Sequence, residues 1–161
     1  MPTKFSDLGV PQWIDEALNQ RGISEPFEIQ EKTIKDGLEG KDICGRAPTG
    51  SGKTLAFGIP LAAKTQASKP RKPQSLILAP TRELAQQICN ELRTFSGKRT
   101  VFVVYGGVGY GPQRKALVNG VDILVACPGR LEDLIEQEEL NLESVKQVVI
   151  DEADRMADMG F

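Results

Sequence analysis

The chain has 161 residues, of which 40% are hydrophobic and 26% charged, enough for one globular domain with a real core. With a net charge of −2 and a pI of 5.3 it has no global basic field, so any contact with nucleic acid must be local. Three scattered cysteines, no Cys-x-x-Cys and no histidine exclude a zinc site and a disulfide framework, and no apolar run reaches membrane-spanning length. The chain is accordingly read as cytosolic, with Cys44 and Cys127 as small core residues.

Between Phe5 and Arg21, the residues Leu8, Ile14, Ala17 and Leu18 fall at helical spacing, and Gly22 supplies a stop. Pro26 opens a second helix with Ile29, Thr33, Ile34 and Leu38 on one face and Gly40 closing it; by itself, Gln30 reads as a surface residue there. The short apolar run Asp42-Ile43-Cys44 predicts a strand. It leads into Arg46-Ala47-Pro48-Thr49-Gly50-Ser51-Gly52-Lys53-Thr54 and then the apolar-periodic Leu55 to Ile59. A strand, a glycine-rich turn and a helix in that order suit a polyphosphate. Gly50 and Gly52 free the backbone to approach an anion, and the helix start offers N–H groups to it. Lys53 is placed to reach the terminal phosphates, and the Thr54 hydroxyl to ligate Mg²⁺.

Residues 64–74 read as a loop, with Lys69-Pro70-Arg71-Lys72 as a solvated basic stretch. Ser75 to Ala79 reads as a strand buried on both faces, followed by Pro80-Thr81-Arg82-Glu83 and a helix carrying Leu84, Ile88 and Leu92. Thr100 to Tyr105 forms the next strand, ended by Gly106-Gly107. A short helix follows over Gln113 to Val118. Asp122 to Ala126 is a fourth strand, stopped by Pro128-Gly129, and Leu131, Leu134 and Ile135 mark the helix after it. A fifth strand, Gln147 to Ile150, runs into Asp151-Glu152-Ala153-Asp154. Alternating strands and helices predict a parallel sheet sandwiched by helices, with each unusual loop at the carboxyl edge where such sheets bind ligands.

At that edge Asp151 suits a Mg²⁺ ligand, and Glu152 a base that takes a proton from an attacking water. Taken alone, the pair reads first as an acidic turn capping a strand. The weight comes from Lys53 and Thr54 upstream. Thr81, Arg82, Gly129 and Arg130 lie in neighbouring loops and suit the phosphates of a polymeric ligand, while Gly106 and Gly107 permit close backbone approach. For both arginines a salt bridge to Glu83 or Asp133 is an equal alternative.

With these motifs in order, the sequence resembles the first RecA-like domain of the DEAD-box RNA helicases. Asp151-Glu152-Ala153-Asp154 matches the motif that names the family, and residues 47–54 resemble its ATP loop. Pro80 to Ala85, Gly106-Gly107 and Pro128-Gly129-Arg130 stand in the order of its RNA-contacting motifs, and Gly22 to Gln30 resembles its adenine-recognising segment, with Phe5 as the upstream aromatic. The resemblance implies an α/β RecA-like P-loop fold, incomplete at the C-terminus. Residues 1–40 would be a helical adenine-recognition region and 41–161 a partial ATP-binding domain.

The implied function is ATP-dependent unwinding of RNA, with ATP and Mg²⁺ as cofactors and a monomeric chain off the membrane. Phe5, Gln30, Thr49, Gly50, Ser51, Gly52, Lys53 and Thr54 would hold the nucleotide, with Gln30 reading adenine through its amide. Pro80, Thr81, Arg82, Gly106, Gly107, Pro128, Gly129 and Arg130 would grip the sugar–phosphate backbone without reading sequence.

The chain departs from the family pattern at Ile23, Phe27-Glu28, Cys127 and Ala157. Beyond Phe161 the resemblance implies a further strand, between those of the ATP loop and Asp151, and a second domain needed for activity. A chain without them is expected to bind nucleotide weakly and to unwind nothing. Two other readings stay open: a DNA helicase or translocase of the same superfamily, and a non-catalytic RNA- or partner-binding module.

Overall fold

The computed structural model describes residues 2–48 and 50–161. Two compact units divide it: Met1–Lys64 with Glu91–Lys98, and Thr65–Asn90 with Arg99–Phe161. Residues 1–40 fall inside the first unit, which also takes in the glycine loop and the helix after it.

The first unit opens with a single 3-10 turn, Phe5–Leu8, that ends at Gly9 in the left-handed region. Pro11 then starts α1, Gln12–Gln20, so the helix read from Phe5 onward is two pieces broken at Gly9. The apolar spacing places Ile14 and Leu18 on the buried face of α1, beside the fully buried Phe5 in the same unit. α2, Glu28–Leu38, and α3, Lys53–Lys64, pack through Gly37, where an added Cβ would lie 2.8 Å from Cγ of Pro60. Gly58 is equally constrained: its Cβ would lie 3.0 Å from the Phe95 ring.

The strand expected at Asp42-Ile43-Cys44 is absent: residues 41–48 form no regular structure, and Ile43 is 45% exposed. A strand exists only where a neighbour takes its backbone hydrogen bonds. Three apolar residues do not hold an extended form alone. Cys44 is exposed with its neighbours and is not a core residue.

The second unit is built on a four-stranded, wholly parallel sheet of β1 (Ser75–Leu78), β2 (Val101–Val104), β3 (Ile123–Ala126) and β4 (Gln147–Ile150), in the order β2-β3-β1-β4. Continuous apolar runs suit the two central strands, β1 and β3, which are covered on both faces. α4 (Arg82–Arg93), α5 (Gly111–Asn119), α6 (Pro128–Glu136) and the short α7 (Ala153–Asp158) follow β1, β2, β3 and β4 in turn. Alternation along the strands puts Leu76, Leu124 and Val104 on one face. There they form a core with Leu117 of α5, Leu131 and Leu134 of α6, and Leu140. By register Val148 and Ile150 of β4 continue that face, yet they are 57% and 54% exposed. Among the described residues β4 pairs on one side only, to β1.

The basic stretch read as a solvated loop is tied down. Arg71 lies 2.8 Å from Glu139, which also pairs with Arg114 at 3.1 Å, and Lys72 pairs with Glu143.

Candidate functional site

In the first unit, Gln30 connects the start of α2 to the glycine loop. Its Oε1 accepts the Phe27 N–H at 2.8 Å and its Nε2 donates to the Gly52 carbonyl at 3.0 Å, leaving the residue 2% exposed. The former bond is half of a capping box and satisfies a donor that the helix start leaves unpaired. Gln30 is therefore buried, not on the surface, and both ends of its amide are held by backbone.

Gly50 and Gly52 have φ of +80° and +82°, the left-handed region that glycine enters without the Cβ clash. A Cβ on Gly52 would meet Gln30 Nε2 at 2.3 Å and the Phe27 ring at 2.8 Å, whereas one on Gly50 would meet nothing within 4 Å. The Ser51 hydroxyl and N–H both donate to the Pro48 carbonyl, closing a tight turn. Lys53 and Thr54 are the first two residues of α3, both half-buried; Thr49 lies outside the described residues.

Beside this loop opens a cavity of 450 Å³ lined by Phe27, Ile29, Arg46, Pro48, Gly50 and Ser51, among others. Phe27 is 58% exposed, while Phe5 is fully buried. Sequence reasoning treated Phe27 only as a departure from a pattern and missed it as part of a cavity wall. The signal was an aromatic residue three positions before the Gln that reaches the loop.

In the second unit, the parallel sheet brings four loops to one edge. Ladder hydrogen bonds run one residue past the strands and fix where each loop begins: Ala79 N–H to Ala126 O, Cys127 N–H to Val104 O and Asp151 N–H to Leu78 O. Pro80 and Pro128 are buried and shape the turns, with Pro128 as the first residue of α6. The Thr81 hydroxyl accepts the Leu84 N–H at 3.2 Å, capping α4. Exposed Arg82 lies over the Tyr105 ring, 4.6 Å from its centroid. Gly106, Gly107 and Gly129 are exposed, with open space where a Cβ would point.

Arg130 differs from Arg82. It is 7% exposed, sits 3.9 Å from the Tyr110 centroid, and donates to Val108 O and Gln113 Oε1. Each arginine is thus placed by a tyrosine, in place of the salt bridges to Glu83 or Asp133 weighed above. Those tyrosines and Gln113 were the residues that sequence reasoning passed over.

Asp151 ends the β4 ladder, and its Oδ1 accepts the Glu152 N–H at 3.0 Å. Glu152 has a φ of +52°, a left-handed conformation that costs a non-glycine residue about 1–2 kcal/mol. Its Oε2 is buried without a hydrogen bond, 3.6 Å from Arg155. Strain and an under-bonded carboxylate together mark a site where position has been favoured over stability. Cys127, the residue before α6, has its thiol pKa raised by burial and secondarily by the Glu83 charge, which lowers its thiolate fraction relative to an ordinary cysteine.

Comparison with known proteins adds the lineage. Residues 27–161 match the family model described as DEAD/DEAH box helicase. The chain is 47% identical to "ATP-dependent RNA helicase CshA" of Listeria monocytogenes, over 99% of this chain and 31% of that protein. It is 44% identical to "DEAD-box ATP-dependent RNA helicase 9, mitochondrial" of Arabidopsis thaliana, over 98% and 27%. The chain thus spans less than a third of the curated relatives it matches. Its fold is similar to a DEAD box protein from Methanococcus jannaschii (TM-score 0.89, 38% identity, 98% of this chain and 43% of that one). It is also similar to the RNA-helicase Prp28 from Chaetomium thermophilum bound to ADP (TM-score 0.90, 42% identity, 99% and 41%). With a family model matched over most of its length and this fold beneath it, the chain belongs to the DEAD/DEAH box helicase family.

Proposed function

We propose that this chain is the nucleotide-binding and RNA-gripping part of an ATP-dependent RNA helicase. The observation that carries the reading is the 450 Å³ cavity between the Phe27 ring and a loop whose two glycines sit at positive φ, with Lys53 opening the next helix. The donor set fits a nucleoside triphosphate. Phe27 offers a flat apolar face to a base, the loop and the start of α3 offer backbone N–H groups, and Lys53 offers a cation for the terminal phosphates. The ADP bound to the Chaetomium protein, a relative at 42% identity, supports the same assignment here.

Thr54 and Asp151 are the residues proposed to hold Mg²⁺, which when bound supplies positive charge against the phosphates. Glu152 is proposed as the base, its backbone already aimed by the left-handed turn. Thr81, Arg82, Gly106, Gly107 and Gly129 form the proposed RNA-backbone surface, contacting phosphate and sugar and so indifferent to sequence. Unwinding is proposed for the whole protein, not for this chain alone.

Titration of the purified chain with a fluorescent ATP analogue, with and without Mg²⁺, tests the reading. Saturable binding is expected, strengthened by Mg²⁺, and Lys53→Ala should weaken it by tenfold or more. No binding by the unaltered chain, or equal binding by Lys53→Ala, would overturn it.

A further inference from the structure

Between β2 and α5 the chain runs through Tyr105-Gly106-Gly107-Val108-Gly109-Tyr110, three glycines in six residues. Gly107 has a φ of +82°, and nothing lies within 4 Å of where a Cβ on any of the three would point. Tyr110 packs against the core at one end, but the three glycines between the tyrosines have much backbone freedom to lose and no side chains to pack. Among the contacts that hold the segment, three reach one guanidinium, directly or through Gln113.

Arg130 Nη2 donates to the Val108 carbonyl at 2.8 Å, in the middle of the loop. The cation stacks on Tyr110, at the end of the loop, 3.9 Å from its centroid, and Tyr110 is itself anchored through its hydroxyl to Asp133 at 3.1 Å. Arg130 Nη1 donates to Gln113 Oε1 at 3.1 Å, and the other end of that amide donates to the Tyr105 carbonyl, at the start of the loop, also at 3.1 Å. The planar fork suits this task, because one rigid group aims two donors in different directions while presenting a face to an aromatic ring. Gln113 is buried as well, at 4% exposure, so the bridge is made away from competing water.

We infer that Arg130 is a positioning residue, which sets the Gly106–Val108 backbone for a bound strand and does not itself hold a phosphate. The inference rests on the reading of this edge as the RNA-backbone surface. It departs from the resemblance, which places Arg130 among the RNA contacts. Arg82 is the contrasting case: exposed, over Tyr105, with its fork open to an anion.

Two measurements on Arg130→Lys, Arg130→Gln, Gln113→Ala and Arg82→Gln separate the roles. The first is amide hydrogen exchange without RNA. Arg130→Lys is expected to speed exchange in 105–110 by tenfold or more and Gln113→Ala by a smaller factor, while Arg82→Gln leaves that loop unchanged. The second is binding of a fluorescent single-stranded oligouridine over a salt series. Losing a phosphate contact lowers the slope of log affinity against log salt by about 0.7 on a single strand. Arg82→Gln should show that drop, whereas Arg130→Gln, which removes the same charge, should bind about tenfold more weakly at an unchanged slope.

Loop exchange unaltered in both Arg130→Lys and Gln113→Ala would overturn the inference. So would a fall in the Arg130→Gln slope equal to that of Arg82→Gln. Should Arg130→Lys loosen the whole sheet, Gln113→Ala, which keeps the guanidinium, decides by whether its change is confined to 105–110. If the unaltered chain bound no oligouridine at any salt, the RNA reading of this edge would fall, while the exchange result would still decide what Arg130 does to the loop.

Discussion

The glycine loop before α3 and the loops at the carboxyl edge of the sheet, both proposed above as anion sites, are held in place by different means. At the sheet edge the work is done by ladders. Four parallel strands end in register, and backbone bonds one residue beyond three of them fix where each loop starts. Side chains then refine the result, with tyrosines placing two arginines. The glycine loop has no strand before it, since residues 41–48 are irregular, and what locates it is the Gln30 amide and the Ser51–Pro48 turn. One site is held by many weak, shared constraints, and the other by a few specific ones. A single substitution should therefore matter more at the glycine loop than at the sheet edge.

The largest expected effects come from the cores beneath the two sites. Phe5→Ala removes a fully buried ring from the first unit and should cost about 3–5 kcal/mol; Leu124→Ala opens a hole in the face packed by α5 and α6 and should cost about 2–5 kcal/mol. Against a total of roughly 5–15 kcal/mol, either is a large fraction. Hydrogen exchange should locate the damage, with α1 and α2 loosened first by Phe5→Ala and β1 to β3 by Leu124→Ala. The same exchange pattern in both variants would erase the distinction between the two units.

Next comes the glycine loop itself, where two glycines of nearly equal φ differ in surroundings. Gly50→Ala incurs the left-handed penalty of about 1–2 kcal/mol and little more, since nothing lies near its Cβ. Gly52→Ala incurs the same penalty and also drives a methyl into Gln30 Nε2 and the Phe27 ring. Nucleotide titration should show Gly52→Ala binding at least tenfold more weakly than Gly50→Ala. Equal losses would mean that Gln30 does not locate the loop.

The same contrast explains how far the sequence could be read. The four strands of the sheet and the helices after the first three were legible, because buried parallel strands write themselves as continuous apolar runs and their loops as Gly, Pro and charge, whereas the short α7 after β4 was not read. Boundaries moved by one to three residues, as for the strand read from Thr100 and found from Val101. The Asp42-Ile43-Cys44 strand failed for a reason no local pattern carries, namely that a strand needs a partner. Gln30 was legible as a motif and not as a buried bridge, since its two hydrogen bonds join residues 22 apart in one case and three apart in the other. The roles of Tyr105, Tyr110 and Gln113 depend on which side chains the topology brings face to face, and periodicity does not report that.

The smallest effect expected is also the most direct probe of the comparison, because each region carries a cysteine. Cys44, in the irregular approach to the glycine loop, is exposed; Cys127, at the sheet edge, is half-buried; Cys89 in α4 is buried. Thiolate is the reactive form, so the raised pKa of Cys127 lowers its reactive fraction at any pH below that value. With iodoacetamide near pH 8, Cys44 should label first, Cys127 several-fold more slowly and Cys89 last, as read by mass spectrometry of peptides. Raising the pH should speed Cys127 later than an unperturbed thiol in a model peptide, because burial and the Glu83 charge delay its ionisation. If Cys127 labelled as fast as Cys44, the turn into α6 would be opening as freely as the glycine-loop approach, and the sheet edge could not be the better-held site.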